Sequence, residues 1–124
     1  MVLFYRGSWC PYCNAQLSAF QRATEFLGEV GASAVALSVD DEQTTSELIA
    51  KHQLTFPVGH SADAAAVSAA TGAFVDPAGG FLQPTGFVLD PAGKVVVSVY
   101  SSGATGWQAI GTPVRGILGP TSPV

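Results

Sequence analysis

The sequence predicts an α/β domain with a mixed sheet, in which a parallel βαβ unit precedes an antiparallel hairpin. The apolar run at residues 1–5 is followed by helical periodicity over residues 11 to about 28 and by a second apolar run at 33–39. Strand, helix and strand in this order give a parallel pair of strands. The apolar runs at 86–89 and 95–99 are separated only by a short turn containing Gly93, which predicts an antiparallel pair.

Composition favours a single folded domain over residues 1–124, with 119–124 as a frayed tail. Hydrophobic residues make up 48% of the chain and charged residues 11%, which is typical of a chain with a core rather than a disordered one. The net charge is −4 and the five basic residues are scattered, which argues against nucleic acid or an anionic membrane as partner. No apolar run resembles a signal peptide or a membrane span, so we expect a cytoplasmic protein unless a leader has been removed.

The remaining elements follow from helix caps and chain breakers. Asp40 and Asp41 are expected to cap a helix over 42–52, and Ser61 to cap an Ala-rich helix that ends at Gly72. Further predictions are an extended piece at 54–58, a loop at 74–83 that covers an edge of the core, a short helix within 103–118, and Trp107 in the core.

Both cysteines of the chain, Cys10 and Cys13, lie two residues apart where the first strand passes into the first helix. Pro11 suits the first helical position, which places Cys10 at the helix N-terminus. Free N–H groups and the helix dipole favour a negative charge there, so we expect Cys10 to be solvent-exposed, to have a lowered thiol pKa and to be the attacking sulfur. Cys13, one turn further along, is close enough for a disulfide.

Other interpretations of the cysteine pair stay open. The two residues could be small buried hydrophobic side chains, or part of a zinc site or of an iron–sulfur cluster shared across a dimer. A zinc site needs about four ligands, and neither His52 nor His60 has metal-ligand spacing to the pair. We therefore expect no metal and no cofactor. His52 is expected to complement the dipole at a helix C-terminus, and His60 to lie in a loop.

Four segments carry a family resemblance. They are Phe-Tyr-Arg-Gly-Ser-Trp-Cys-Pro-Tyr-Cys at 4–13, Leu-Ser-Val-Asp at 37–40, Leu-Thr-Phe-Pro-Val at 54–58 and Pro-Thr-Gly-Phe-Val-Leu-Asp-Pro-Ala-Gly-Lys at 84–94. Together they resemble the peroxiredoxin-like branch of the alkyl hydroperoxide reductase / thiol-specific antioxidant family. The resemblance implies a thioredoxin fold, a three-layer α/β/α arrangement. It places Cys13 at the peroxidatic cysteine, with Cys10 at the usual threonine and Arg6 at the usual proline.

The resemblance also implies a substrate groove. Pro84 would be the cis-proline that faces the first cysteine, and Gln83 and Thr85 would border a groove in which a substrate chain pairs like an added strand. The alternative is a trans proline that simply begins a strand.

Trp9, Pro11 and Tyr12 would complete this groove around the sulfurs, although core packing explains the two aromatic residues equally well. The charge of Arg6 could raise the thiolate fraction of either cysteine. The alternative for Arg6 is a solvated residue at the end of a strand. The first strand has no buried acid beneath the cysteines, which leaves no evident proton carrier for Cys13.

Three functions fit these residues. In the first, a thiol–disulfide oxidoreductase, Cys10 attacks a substrate disulfide and Cys13 resolves the mixed disulfide. In the second, a thiol peroxidase, peroxide oxidises Cys13 and Cys10 resolves the sulfenic acid. In the third, a non-enzymatic redox sensor, the pair toggles a binding surface around Trp9 and Phe56.

The expected partners follow from the two enzymatic hypotheses. They are a disulfide-containing protein, a small thiol or disulfide, or a peroxide, together with an electron donor of the thioredoxin or glutathione type. Sparse surface charge also favours a homodimer.

Overall fold

The computed structural model describes residues 1–101 of the 124-residue chain. The helices and strands are, in chain order, β1 (Val2–Phe4), α1 (Pro11–Arg22), α2 (Thr24–Glu29), β2 (Val35–Leu37), α3 (Glu42–His52), β3 (Val58–Gly59), α4 (Ala64–Thr71), β4 (Thr85–Leu89) and β5 (Val95–Tyr100). Within this part of the chain, no helix combines the length and hydropathy that crossing a bilayer requires.

The strands form one mixed sheet in the order β3-β2-β1-β4-β5. β1 and β2 are parallel, with Leu3 opposite Ala36, and β2 and β3 are also parallel. On its other side β1 is antiparallel to β4, with Leu3 opposite Gly86, and β4 and β5 form an antiparallel pair. The parallel βαβ unit and the antiparallel hairpin are therefore confirmed, and the arrangement is the predicted thioredoxin-like one.

Alternation along β1 divides the core between the two faces of the sheet. Leu3 and Tyr5 pack with Leu17 of α1 and Leu48 of α3, whereas Phe4 belongs to a second cluster. The second cluster includes Ala73, Leu82, Phe87 and residues of α4. Because successive side chains of a strand point to opposite faces, helices cover both sides of the sheet, and the three-layer prediction is confirmed.

Helix ends follow local capping chemistry. The predicted bounds of α3 are confirmed, and the carboxylate of Asp41 accepts the Thr44 N–H at 2.7 Å. The predicted cap at Ser61 is wrong, because Asp63 accepts the Ala66 N–H at 3.1 Å and begins α4 two residues later. The single helix expected from 11 to about 28 is interrupted at Ala23, so that α1 and α2 are separate.

The loop at 74–83 is tied to the body of the protein by an isolated bridge between Val75 and Leu82, and Leu82 is fully buried. Its predicted role of covering the core edge is thus confirmed for Leu82, whereas Phe74 is largely exposed. Extended structure expected at 54–58 is confined to Val58–Gly59. The predicted helix within 103–118, the core position of Trp107 and the tail at 119–124 lie outside the described residues.

Replacing Leu17 with Ala should test the α1 side of the core. Leu17 is fully buried, and truncation of such a side chain costs about 2–5 kcal/mol of unfolding free energy because a cavity remains. Urea unfolding measures the loss. Val96→Ala on the exposed side of β5 is the control, with an expected change below about 1 kcal/mol. Equal losses in the two variants would contradict the assigned core.

Candidate active site

The two cysteines lie at the N-terminus of α1. Cys10 is the N-cap residue, with an extended backbone (φ −89°, ψ 112°), and Pro11 occupies the first helical position as predicted. The Cys10 Sγ accepts the backbone N–H of Cys13 at 3.4 Å. A thiol sulfur thus takes the place of the Ser, Thr or Asp oxygen that usually satisfies an N–H group in the first helical turn. Both cysteines are free thiols.

Both sulfurs face inward. Cys10 and Cys13 are each only 1% exposed and belong to the core cluster that contains Leu3 and Leu17. The expectation that Cys10 is open to solvent is therefore wrong. The reason is geometric: a sulfur that caps the helix from the N-cap position is turned back over the first turn, and here that turn packs on the sheet.

The side chains around the sulfurs face outward instead. Trp9 is 55% exposed and Tyr12 is 56% exposed, and Pro11 is exposed as well. Core packing of Trp9 and Tyr12 is thereby excluded. These three exposed residues flank the buried thiol pair in sequence.

Burial raises the pKa of the Cys13 thiol to about 12. The adjacent Cys10 raises it further, through both its side-chain hydrogen bond and its charge, whereas the backbone N–H groups of Arg6 and Gly7 act in the opposite direction. Cys13 is therefore a protonated thiol at neutral pH.

Arg6 acts on Cys13 through its backbone rather than through its charge. Its guanidinium carbon lies 5.0 Å from the ring centre of Trp9 and 4.8 Å from that of Phe81, and the two rings are themselves in edge-to-face contact at 5.0 Å. The guanidinium is not among the groups that shift the Cys13 pKa. The predicted effect of the Arg6 charge on the thiol pKa is therefore not seen for Cys13. The alternative, a solvated arginine at the end of a strand, does not fit either, because the guanidinium contacts two aromatic rings.

A carboxylate that the sequence analysis treated as a helix cap holds the loop before α1. Asp40 accepts the Ser8 N–H through Oδ2 at 2.8 Å, while the Asn14 side-chain amide donates to the Ser8 carbonyl at 2.8 Å. The loop is thus fixed both to the end of β2 and to α1. One signal could have indicated this: two consecutive acids precede α3, but one residue alone can be its N-cap, and that residue is Asp41.

The predicted cis bond at Pro84 is wrong, since all peptide bonds in residues 1–101 are trans. Leu82 is bridged to Val75 and Thr85 begins β4, so the chain continues in an extended path that a trans bond accommodates. Gln83, Pro84 and Thr85 are all buried.

The backbone beside Pro84 is already hydrogen-bonded within the chain. The Gln83 N–H donates to the Phe74 carbonyl at 2.9 Å, and the Pro84 carbonyl accepts the Ser101 N–H at 3.1 Å. The Gln83 N–H and the Pro84 carbonyl are therefore already used, and the expected strand-like pairing with a substrate chain would have to replace these bonds.

The histidines lie apart from the thiol pair. His52 ends α3, as predicted, with its Nδ1 3.2 Å from the Ser18 hydroxyl, and His60 is next to Ser61 after β3. Among the described residues there is no group of three His, Cys, Asp or Glu side chains placed to hold a metal ion.

Comparison with known proteins gives one family and a set of similar folds. The model of the AhpC/TSA family matches residues 1–98, and no curated protein matches the chain. The peroxidoxin BcpB of Mycobacterium tuberculosis is 23% identical with a TM-score of 0.76, over 94% of this chain and 79% of that one. PrxQ of Xylella fastidiosa is 16% identical with a TM-score of 0.78, over 95% and 76%. The bacterioferritin comigratory protein of Xanthomonas campestris is 20% identical with a TM-score of 0.75, over 93% and 76%.

The stability of the reduced protein should fall at alkaline pH because of Cys13. Its pKa rises from 9.0 to about 12 on folding, so the folded state keeps a proton that the unfolded chain has already lost. The resulting stability is fully present below about pH 9 and is lost as the pH rises toward about 12. Urea unfolding under reducing conditions at about pH 8 and about pH 10.5 measures the loss.

Cys13→Ala is the control for this effect, because it removes the thiol and keeps the buried Tyr5, whose pKa burial also raises. We expect a shallower alkaline decline in the variant. Parallel declines in wild type and variant would contradict the burial of a protonated Cys13.

Replacing Asp40 with Ala should release the loop before α1. The Ser8 N–H loses a charged acceptor, which costs about 1–3 kcal/mol. The N–H groups of Arg6 and Gly7 are then held less firmly, so the pKa of Cys13 should rise further. Asp40→Asn retains a side-chain oxygen and should behave closer to wild type. Thiolate absorbance and urea unfolding measure the two effects, and identical behaviour of the Ala and Asn variants would refute a role for the hydrogen bond.

Proposed function

Since the chain belongs to the AhpC/TSA family, and is therefore an oxidoreductase, we propose that it is a thiol peroxidase that reduces hydroperoxides through Cys10 and Cys13. The observation that carries the proposal is the contact of two free thiols at one helix terminus, where the Cys13 N–H donates to the Cys10 Sγ at 3.4 Å. One protein of similar fold, that of Xanthomonas campestris, has alkyl peroxide reduction activity.

We infer that Cys10 performs the first step. Cys13 holds its proton, with a pKa near 12, and a thiol is a far weaker nucleophile than a thiolate. Cys10 has the helix terminus and the Cys13 N–H to stabilise a negative charge on its sulfur. The family resemblance alone implies the reverse assignment, with Cys13 as the peroxidatic residue, and the experiment below separates the two.

The proposed reaction balances as follows. The Cys10 thiolate attacks one peroxide oxygen, the O–O bond breaks, and the other oxygen leaves as an alkoxide or hydroxide that takes a proton from water, which gives a sulfenic acid on Cys10. The Cys13 sulfur then attacks the Cys10 sulfur, an S–S bond forms, and the S–O bond breaks. The Cys13 thiol proton leaves with the hydroxide as water. The Cys13 proton is thus the one that the leaving hydroxide takes up, and its transfer leaves the thiolate that attacks.

Burial favours peroxide over a protein disulfide as the substrate. Cys10 is 1% exposed, which hinders the in-line approach of a disulfide on another protein, whereas a hydroperoxide group is small. Backbone groups beside Pro84 are occupied within the chain, so the pairing site of a thioredoxin-type reductase is closed. These two observations support the peroxidase over the oxidoreductase and the sensor.

The cycle needs two electrons from outside the chain. We propose a small thiol of the glutathione type as donor, which would reduce the Cys10–Cys13 disulfide by exchange. The burial that hinders a protein disulfide also hinders a protein donor of the thioredoxin type. Location in the cytoplasm and assembly as a homodimer remain predictions from the sequence.

Replacing each cysteine with Ser should reveal the order of the two sulfurs. With Cys10→Ser we expect loss of peroxide consumption by at least about 100-fold, because the nucleophile is gone. With Cys13→Ser we expect one equivalent of peroxide to be consumed and a sulfenic acid to accumulate on Cys10, since nothing resolves it. Mass spectrometry after labelling with dimedone locates the modified sulfur.

The double variant serves as the background control. A sulfenic acid on Cys13 in the Cys10→Ser protein would reverse the assigned order while leaving the peroxidase function intact. Reaction of the wild type with hydrogen peroxide at the rate of a free cysteine would refute the peroxidase function itself.

A further inference from the structure

Three hydroxyl groups are buried in the part of the core that follows β1. Tyr5, Ser38 and Thr45 are each at most 2% exposed. The phenol of Tyr5 has side-chain hydrogen bonds with the hydroxyls of Ser38 and Thr45, and the Ser38 Oγ also accepts the Asp40 N–H at 3.1 Å. A buried hydroxyl is costly unless it is hydrogen-bonded, and apolar side chains would fill the same space without that requirement. Packing alone therefore does not explain this cluster of hydroxyls.

The Cys13 thiol lies next to the cluster. Tyr5 and Cys13 belong to one group of buried side chains, on the face of the sheet that α1 covers. The backbone N–H groups of Arg6 and Gly7, the two residues that follow Tyr5 in the chain, hydrogen-bond the Cys13 sulfur. A negative charge on Cys13 raises the pKa of Tyr5, and such an interaction weakens with distance. The phenol and the Cys13 sulfur are therefore neighbours in the core.

Reduction of the Cys10–Cys13 disulfide requires a proton at Cys13. When a donor thiolate attacks the Cys10 sulfur, the Cys13 sulfur is the leaving group, and its thiol has a pKa of about 12 in the folded protein. A thiolate of such high basicity leaves slowly unless an acid protonates it as the S–S bond breaks. Cys13 is 1% exposed, so water has little access to this sulfur. A proton donor inside the protein is therefore needed.

Tyr5 can fill this role although the first strand has no carboxylic acid. A phenol keeps its proton at neutral pH, and burial, together with the charges of Asp40 and Cys13, raises the pKa of Tyr5 above its ordinary value. The hydrogen bonds from Ser38 and Thr45 act in the opposite direction, because they stabilise the phenolate. These two hydroxyls therefore favour the loss of the phenol proton, which gives the buried cluster a chemical role.

We propose that Tyr5 donates the proton that Cys13 takes up when the Cys10–Cys13 disulfide is reduced. This inference rests on the proposed function and assigns a residue to its reductive half. The donor thiolate attacks the Cys10 sulfur, the S–S bond breaks, its electron pair stays on the Cys13 sulfur, and the Tyr5 proton moves to that sulfur. A second donor thiolate then attacks the donor sulfur of the mixed disulfide, which forms the donor's own disulfide and releases Cys10 as a thiolate. The Tyr5 phenolate regains a proton from water, into which each donor thiol released one when it ionised.

Reduction of a chemically oxidised protein tests the proposal without peroxide. Diamide forms the Cys10–Cys13 disulfide, 2-mercaptoethanol reduces it, and mass spectrometry after alkylation follows the free thiols. In Tyr5→Phe the rate constant per donor thiolate should fall about 100-fold, the lower end of what a positioned acid contributes. Tyr100→Phe is the control, because it removes a phenolic hydroxyl that donates to the Thr71 carbonyl at 2.7 Å, next to Phe87 of the second core cluster. It should keep the wild-type rate constant.

The pH profile separates proton donation from a structural role. The oxidised protein has no Cys13 thiol to titrate, so the wild-type rate constant per donor thiolate should decline at alkaline pH as the Tyr5 phenol ionises. Tyr5→Phe should show no such decline. Replacement of Tyr5 with 3-fluorotyrosine, a more acidic phenol of nearly the same size, should keep the fold and move the decline to lower pH.

Equal rate constants in wild type and Tyr5→Phe, or equal losses in Tyr5→Phe and Tyr100→Phe, would overturn the proposal. It would also be overturned by an alkaline decline that 3-fluorotyrosine does not move, or by a protein in which diamide forms no Cys10–Cys13 disulfide. Absence of peroxide consumption by the wild type, together with a reduction step that depends on Tyr5, would refute the peroxidase alone.

Discussion

The hydrogen bond from the Cys13 N–H to the Cys10 Sγ is the contact on which the site depends. It satisfies a backbone donor that would otherwise be unpaired in the first turn of α1, and it turns the Cys10 sulfur inward. The atom that caps α1 is therefore also the sulfur of a cysteine thiol. The Cys13 thiol lies beside it, and burial together with the Cys10 side chain raises the pKa of that thiol.

The second requirement is a rigid loop between β1 and α1. Asp40, three residues after the end of β2, accepts the Ser8 N–H, and Asn14, on α1, donates to the Ser8 carbonyl. Parallel pairing of β1 with β2 brings the ends of these strands to the same edge of the sheet. The βαβ unit thus supplies the helix that carries the thiols and also the acid that fixes the preceding loop.

Local signals predicted most of the fold, but not the packing of the site. Apolar runs and helix breakers located both halves of the sheet, and Pro11 located the start of α1, because each depends on neighbours in sequence. Exposure of Cys10 depends on how the helix terminus packs on the sheet, and the peptide bond at Pro84 on the path of the loop at 74–83. The role of Asp40 needs a contact 32 residues away along the chain. Such long-range contacts leave no periodicity in the sequence.

Gly7 leaves room for the side chains of Trp9 and Asp40 in the loop before α1. A methyl group at its Cα would overlap the indole Nε1 of Trp9 and lie 3.1 Å from Oδ1 of Asp40. The missing side chain is thus the space in which the indole lies, and the indole in turn supports the Arg6 guanidinium. Any redesign of the segment before α1 would accordingly have to keep glycine at position 7 for as long as the Trp9 indole stays in its present place.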